Sequence, residues 1–325
     1  MLLSSNKKKV ALCFIINYEH VLHKENTWRK WCEELKDLVN VYVFYSDREK
    51  ITSPWLLQHA LPPTEVYPTN YYHIIPAYVS LMKHALAADP ANAWFCMLTD
   101  SCCPIVSPEY FRLQFYRNQT HSIFAWRRAW WDVRTCKRAN LGKLAKNLHL
   151  ANSPWFIVNR HHACLIVHFT TQSPKGIETT AIIDAGRVAN ESLFAIILMV
   201  NHQLLSHNST IIDSNSHITD WSRPATASSP HTFVEGNAKD QQIISAELKN
   251  NPYACFIRKI APQFPDAIIE KYQQACTISW GDRAELFAWQ YGGILATIVP
   301  CMMCVACVVG CGFLSQLWTT LADKQ

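Results

Sequence analysis

Four short segments of the 325-residue chain place ionisable side chains where a strand or helix would begin or end. Thr99-Asp100-Ser101 closes an apolar run and Glu191 opens another. Asp220-Trp221-Ser222 interrupts a Ser- and Asn-rich stretch, and Arg258-Lys259 ends a short apolar segment. Carboxylates in such places can accept a proton from a hydroxyl, and adjacent cations can hold an anionic group. Each segment also has a plain structural reading. Asp100 reads as a turn residue and Glu191 as an acid that complements a helix dipole. Asp220-Trp221-Ser222 reads as a turn and Arg258-Lys259 as an exposed pair. Glycine-cradled phosphate binding is disfavoured, because neither a P-loop nor a GxGxxG fingerprint occurs and the chain holds only 9 Gly. No Ser nucleophile elbow is present either.

The elements that would carry these residues read as α/β. Lys9 to Ile16 is a buried strand, followed by a polar loop from Asn17 to Lys24. Asn26-Thr27 can cap a helix through Trp28, Trp31 and Leu35. Val39 to Tyr45 is a second strand, Tyr78 to Ala87 a helix, and Ala93 to Leu98 a third strand. This alternation predicts a mostly parallel sheet with helices on both faces. Ligands bind such sheets beyond the carboxyl ends of the strands. That rule puts Asn17, Ser46-Asp47 and Thr99-Asp100-Ser101 at one mouth. Further on, Trp155 to Asn159 reads as strand, Glu191 to Val200 as a buried helix, and Ala254 to Ile260 as the last strand.

Hydrophobic residues make up 49% of the chain and charged residues 17%, which excludes disorder. Charge is unevenly placed. Residues 109–150 hold nine Lys or Arg against Glu109 and Asp132, interleaved with Phe124, Trp126, Trp130 and Trp131. The pI near 8.5 is modest and no nucleic-acid-binding signature is present, so this stretch reads as a solvated face beside an anionic ligand. Leu286 to Ala322 contains no Asp, Glu, Lys or Arg. Within it, Ile294 to Leu317 reaches the roughly 20 apolar residues that cross a bilayer. Four of the 13 Cys lie in this tail, where packing or palmitoylation suits them better than metal. The remaining nine read as reduced thiols. Lys7-Lys8-Lys9 precedes too short an apolar run for a signal peptide. The sequence therefore predicts a body over residues 1–285 and a membrane-anchoring tail over 286–322, single-pass at the C-terminal end, with the body in the cytosol.

Five segments, in order, resemble the core-2/I-branching β-1,6-N-acetylglucosaminyltransferase family, large-DNA-virus and plant members included. They are Trp94-Phe-Cys-Met-Leu-Thr-Asp-Ser-Cys-Cys-Pro-Ile, Asn152-Ser-Pro-Trp-Phe-Ile-Val-Asn-Arg, Asn190-Glu-Ser-Leu-Phe-Ala, Asp220-Trp-Ser with Pro230-His-Thr-Phe, and Cys255-Phe-Ile-Arg-Lys-Ile. The match runs from about residue 10 to 265. Tyr71-Tyr72-His73 and the residues after it resemble viral members more than animal ones.

The resemblance implies a GT-A-like α/β fold and an inverting glycosyltransferase that uses a UDP-sugar without a metal or other cofactor. Glu191 would be the catalytic base. Lys259 and Arg258 would neutralise the departing diphosphate, with Asp100, Ser101, Asp220, Trp221, Ser222 and Asn17 around the donor. N-acetylglucosamine is the first candidate for the sugar and xylose or glucuronate the alternative. A glycan or protein hydroxyl is the acceptor, and nucleic acid is not a partner. Two positions depart from the pattern. The acid that usually precedes the catalytic Glu is Asn190, and the cation before Asp-Trp-Ser is replaced by Asn215-Ser216-His217, with Arg223 as a candidate substitute. The contrasting reading is an inactive, membrane-tethered protein of the same fold that binds a glycan or an anion.

Overall fold

The computed structural model describes residues 7–16, 19–205, 209–226 and 229–290. The compact unit spans Asn6–Thr277, and of the second unit the described part is 278–290, helical over 280–290. The strands are β1 (Lys9–Ile15), β2 (Val39–Phe44), β3 (Asn92–Thr99), β4 (Cys103–Pro104), β5 (Ser122–Ile123), β6 (Trp126–Arg128), β7 (Leu150–Asn152), β8 (Ile157–Asn159), β9 (Ile211–Ile212), β10 (His217–Thr219) and β11 (Phe256–Arg258). The helices are α1 (Glu25–Glu34), α2 (Pro54–His59), α3 (Ile75–Ala88), α4 (Pro108–Asn118), α5 (Arg160–Thr171), α6 (Pro174–Asp184), α7 (Leu193–Val200), α8 (Ala238–Asn250) and α9 (Asp266–Ala275).

The main sheet has the order β2-β1-β3-β8-β5-β9. β1 runs parallel to β2 and β3, and β5 parallel to β9, while β8 is antiparallel to both its neighbours. All eight residues of β3 are buried, as expected of a strand covered on both faces. Period-two alternation sorts its side chains. Phe95 and Met97 join Ala11, Cys13 and Ile15 of β1 in a core with Tyr78, Leu81, Ile166 and Phe194 of α3, α5 and α7. Trp94 and Phe14 point the other way into an aromatic cluster. There Phe14 meets Trp28 edge-on at 4.8 Å, Trp31 meets Phe111 at 4.8 Å, and Trp94 meets Phe115 at 5.4 Å. Trp28 and Trp31 of α1 donate their indole N–H groups to the carbonyls of Cys102 and Val106. That ties α1 to the segment leaving β3.

Two small sheets sit beside the large one. In the order β10-β11-β4, β11 is parallel to β10 and antiparallel to β4. β6 and β7 form an antiparallel pair. The mixed α/β body with its largely parallel centre fits the GT-A-like fold that the resemblance implies.

Several boundaries differ from the sequence reading. α1 starts at Glu25 with Lys24 at its N-cap, not at Asn26-Thr27. The Lys24 ammonium is buried against the carbonyls of Pro262 and Phe264 and the Asp266 carboxylate, and this long-range anchorage overrides the local cap. The helix expected from Glu191 starts at Leu193, because Ser192 has extended φ and residues 189–191 form a separate 3-10 turn. The nine cysteines of the body are free. The expected C-terminal transmembrane helix is corrected. Among the described residues no helix is long and apolar enough to cross a membrane, and 294–317 lies outside them. The α/β body is therefore described without the anchor, and the single-pass membrane placement that depended on it is withdrawn.

One buried histidine has a measurable consequence. His162, at the start of α5, lies 2.6 Å from Ser122 Oγ through Nδ1 and 3.3 Å from Gln203 Oε1 through Nε2. Burial pushes its pKa down from 6.5 to about 4. The unfolded chain therefore takes up a proton between these values that the folded chain refuses. Stability is full above pH 6.5 and falls as pH drops to 4, by about 3 kcal/mol from this residue. Denaturant unfolding followed across this window should show a steeper loss in the wild type than in His162→Gln, and parallel curves would refute the assignment.

Candidate active site

The carboxyl ends of the strands bring the expected residues towards one edge. Asp100 directly follows β3 and is 4% exposed. Its Oδ1 accepts from Thr99 Oγ1 at 2.6 Å and from the Ser101 N–H at 2.7 Å, while Oδ2 is buried without a hydrogen-bond partner. The adjoining backbone is fixed. His23 N–H donates to the Asp100 carbonyl at 3.0 Å, and Ile260 N–H to the Ser101 carbonyl at 2.9 Å. The second of these bonds joins the end of β3 to the segment after β11. Ser101 itself is buried.

Arg258 ends β11 and Lys259 follows it. The Arg258 guanidinium lies 5.0 Å over the Trp155 ring, and its Nε is buried with no hydrogen-bond partner. Lys259 donates to Ser229 Oγ at 3.0 Å. Neither cation has a carboxylate within 4.0 Å among the described residues. Burial pushes the pKa of both groups down. For Lys259 the neighbouring Arg258 adds to the effect, and Asp100 opposes it. A cation taken out of water without a counter-ion is costly, so this pair is poised for an anion from outside the chain.

β10 ends at Thr219, which pairs with Arg258, so Asp220 begins at the same edge as Lys259. Both carboxylate oxygens of Asp220 have partners within the chain. Its Oδ1 accepts from Ser222 N–H at 2.8 Å and Ser222 Oγ at 2.7 Å, and its Oδ2 accepts from Arg223 Nε at 2.8 Å. Arg223 also reaches Asp240 at 2.8 Å, and so bridges two carboxylates. The guanidinium that was to replace the missing cation is thus committed internally. His217, at the other departure from the pattern, is buried with its pKa pushed far down by burial and by Arg258, and it carries no charge. Trp221 is 55% exposed and free to meet a planar group. Asn17 lies outside the described residues. Of the other expected mouth residues, Ser46 bonds His20 at 3.0 Å, and Asp47 caps the turn 48–50 and pairs with Lys50.

Glu191 sits in the 3-10 turn 189–191, half-buried, and its Oε2 forms an ion pair with Arg138. The Arg138 guanidinium lies 4.5 Å over Trp131 and 5.3 Å from Trp130. Asn152 holds the turn in place. Its amide donates to the Asn190 carbonyl at 2.9 Å and its Oδ1 accepts from the Ala195 N–H at 3.1 Å. Three residues further on, Trp155 carries Arg258, so the segment 152–155 positions both halves of the site. Tyr78 completes the link. Its hydroxyl donates to the Pro154 carbonyl at 2.9 Å, and its pKa is pushed up by burial, against the opposing effects of Asn190 and Arg258.

The sequence reading did not single out Arg138, Trp131, Asn152, Tyr78 or Trp155 as site residues. Arg138 and Trp131 lay inside the basic, aromatic stretch, whose alternation was their one signal. Asn152 and Trp155 lay inside a matched segment. The Arg of that segment, Arg160, does structural work: it donates to the carbonyls of Leu86, Asp89 and Asn92 and closes the C-terminal end of α3. No three His, Cys, Asp or Glu gather as metal ligands among the described residues.

No curated protein matches the chain. A family model does, over residues 30–247, or two thirds of the chain. That range takes in Asp100, Asn152, Glu191 and Asp220 and ends before Arg258 and Lys259. The matched family is that of the Core-2/I-branching enzyme, a family of glycosyltransferases, and the chain belongs to it.

Proposed function

We propose that this glycosyltransferase moves a sugar, N-acetylglucosamine in the first instance, from a UDP-sugar to a hydroxyl of a glycan acceptor, with inversion and without a metal. One observation carries the reading: Arg258 and Lys259 are held at the strand ends with no carboxylate within 4.0 Å among the described residues, Asp100 acting on them only from further away. A diphosphate supplies the missing negative charge and matches the forked guanidinium beside a point-charge ammonium. Trp221 offers an exposed ring at the same edge for the nucleobase.

The reaction needs three things of the protein. Glu191 takes the proton of the acceptor hydroxyl through Oε1, since Oε2 faces Arg138. The acceptor oxygen attacks the anomeric carbon on the face opposite the diphosphate. The bond from that carbon to the leaving oxygen breaks, and its electron pair goes to the diphosphate, where Lys259 and Arg258 stabilise the growing charge. Trp155 and the Asn152 clamp keep the base and the cations in register, because orientation is worth as much as the groups themselves.

Glu191→Gln should lower transfer by roughly 10²–10⁴-fold while UDP affinity, measured calorimetrically, stays unchanged; near-wild-type turnover would remove Glu191 from the base role. Lys259→Ala should weaken UDP binding by about tenfold or more, the value of one charge-assisted contact, and unaltered affinity would take it out of the donor site. Transfer should also persist after exhaustive EDTA treatment. Activity that vanishes there and returns with Mn²⁺ would show that the two cations do not suffice.

A further inference from the structure

The region around Glu191 has a charge imbalance that the donor does not use. Between Trp126 and His149 the chain carries seven Arg or Lys and a single acid, Asp132. Arg134 is paired with Asp132, and Arg138 with Glu191. The other five, Arg127, Arg128, Lys137, Lys143 and Lys146, have no carboxylate within 4.0 Å among the described residues. Two of them meet in a groove of about 610 Å³ between β6, the loop after it and the turn before β7. Arg128, Lys146 and His149 line it together with Trp131 and Asp132.

The groove is built rather than incidental. Arg128 is anchored by donating to the carbonyls of Lys146 at 3.3 Å and Asn147 at 3.1 Å, which fixes one guanidinium edge and leaves the rest of the fork open. The Asp132 carboxylate is occupied, accepting from the Arg134 N–H at 3.0 Å and from Thr135 Oγ1 at 3.1 Å. Trp131 is the wall shared with the active site: one side belongs to the groove, and Arg138, the partner of Glu191, lies 4.5 Å from its ring. An occupant of the groove is therefore two side chains, Trp131 and Arg138, away from Glu191. The groove's volume falls within the roughly 300–1,000 Å³ of clefts that hold a small ligand, enough for a sugar unit.

We infer that this groove seats an anionic sugar unit of the acceptor, so that the transferase acts on an acidic saccharide. The shared chemistry is a carboxylate or sulfate on a sugar ring, held by the Arg128 fork and the Lys146 ammonium, with the ring against Trp131. The inference rests on the transferase reading and names its acceptor class. A neutral acceptor would leave the groove's positive charge without a partner.

The test uses the full chain and four probes of similar length: a malto-oligosaccharide, an oligogalacturonate, a heparin-derived oligosaccharide and a single-stranded RNA. At low salt the wild type should bind at least one of the two acidic saccharides about tenfold or more tighter than the neutral one, as one charge-assisted contact allows. The better of the two identifies carboxylate or sulfate as the group. Affinity should fall with added NaCl and be lost by a similar factor in Lys146→Glu, whose side chain has no hydrogen-bond partner among the described residues and whose replacement spares the backbone. Arg128→Gln, which keeps a donor for the two carbonyls, should weaken the same probe. Equal binding of the neutral saccharide, RNA bound as tightly as the acidic saccharides, or Lys146→Glu without effect would each overturn the inference. Hydrolysis of a UDP-sugar by the wild type, measured alongside, separates the two readings. Hydrolysis without acidic preference refutes the acceptor class alone, whereas acidic preference without hydrolysis upholds the groove and refutes the transferase mechanism.

Discussion

The burial of β3 is the constraint from which the site follows. A strand with hydrogen-bonded neighbours on both edges and helices over both faces must be apolar between its ends, and Asn92–Thr99 shows no exposed position. The chain places polar groups in this layer at the strand's ends: Asn92 opens it, bonded to Tyr42 and the Ala85 carbonyl, and others can follow where the strand stops. There the chain sets Thr99, Asp100 and Ser101, and then turns into β4, which serves as the antiparallel partner of β11. The position of Arg258 is thereby set by pairing with a strand that itself begins three residues after Asp100. The two large aromatic and aliphatic cores hold this arrangement from either side, through Trp28 and Trp31 on one face and Tyr78 and Phe194 on the other.

Electrostatics then divides the site into two kinds of charge. Arg223, Asp220 and Asp240 form a closed set in which each group has its partner. Arg258 and Lys259 form an open one. Closed sets rigidify and open sets bind, because an unpaired buried charge keeps its demand for a counter-ion. The same distinction separates Asp132 from the cations around it. Glu191 stands between the categories: it is paired with Arg138 through one oxygen and free through the other.

Much of this was legible in the chain, and the limits are physical. β1, β2, β3 and α3 announce themselves through continuous apolar runs or helical spacing, and each lies within a few residues of its expected place. α5 and α6 went unread although Asn159 and Ser173-Pro174 are ordinary helix starts, because the histidines and threonines in between dilute the apolar pattern. The short strands β4 to β7, β9 and β10 have too few residues for any period to show. Asp100, Glu191, Asp220 and the Arg258-Lys259 pair could be singled out only by their order along the chain. What each does depends on contacts no local pattern encodes: Arg138 lies 53 positions before Glu191, and Asp240 is 17 positions from Arg223. The Asp220 segment shows the consequence: its carboxylate builds the turn with Ser222 and Arg223, while the Trp221 ring beside it stays exposed.

Glu191 and the Arg258-Lys259 pair are mounted on different hydrogen-bond networks. Arg258 and Lys259 belong to the β10-β11-β4 sheet, whereas Glu191 hangs from Asn152 at the end of the β6-β7 pair, beside the basic loop. The bridge 152–155, with Tyr78 bonded to it, links the two. An enzyme arranged this way can diverge by halves. On the proposed reading, changes in the loop between β6 and β7 can alter which molecule is modified without touching the strands that carry Arg258 and Lys259, and descendants can inherit a donor while exchanging acceptors.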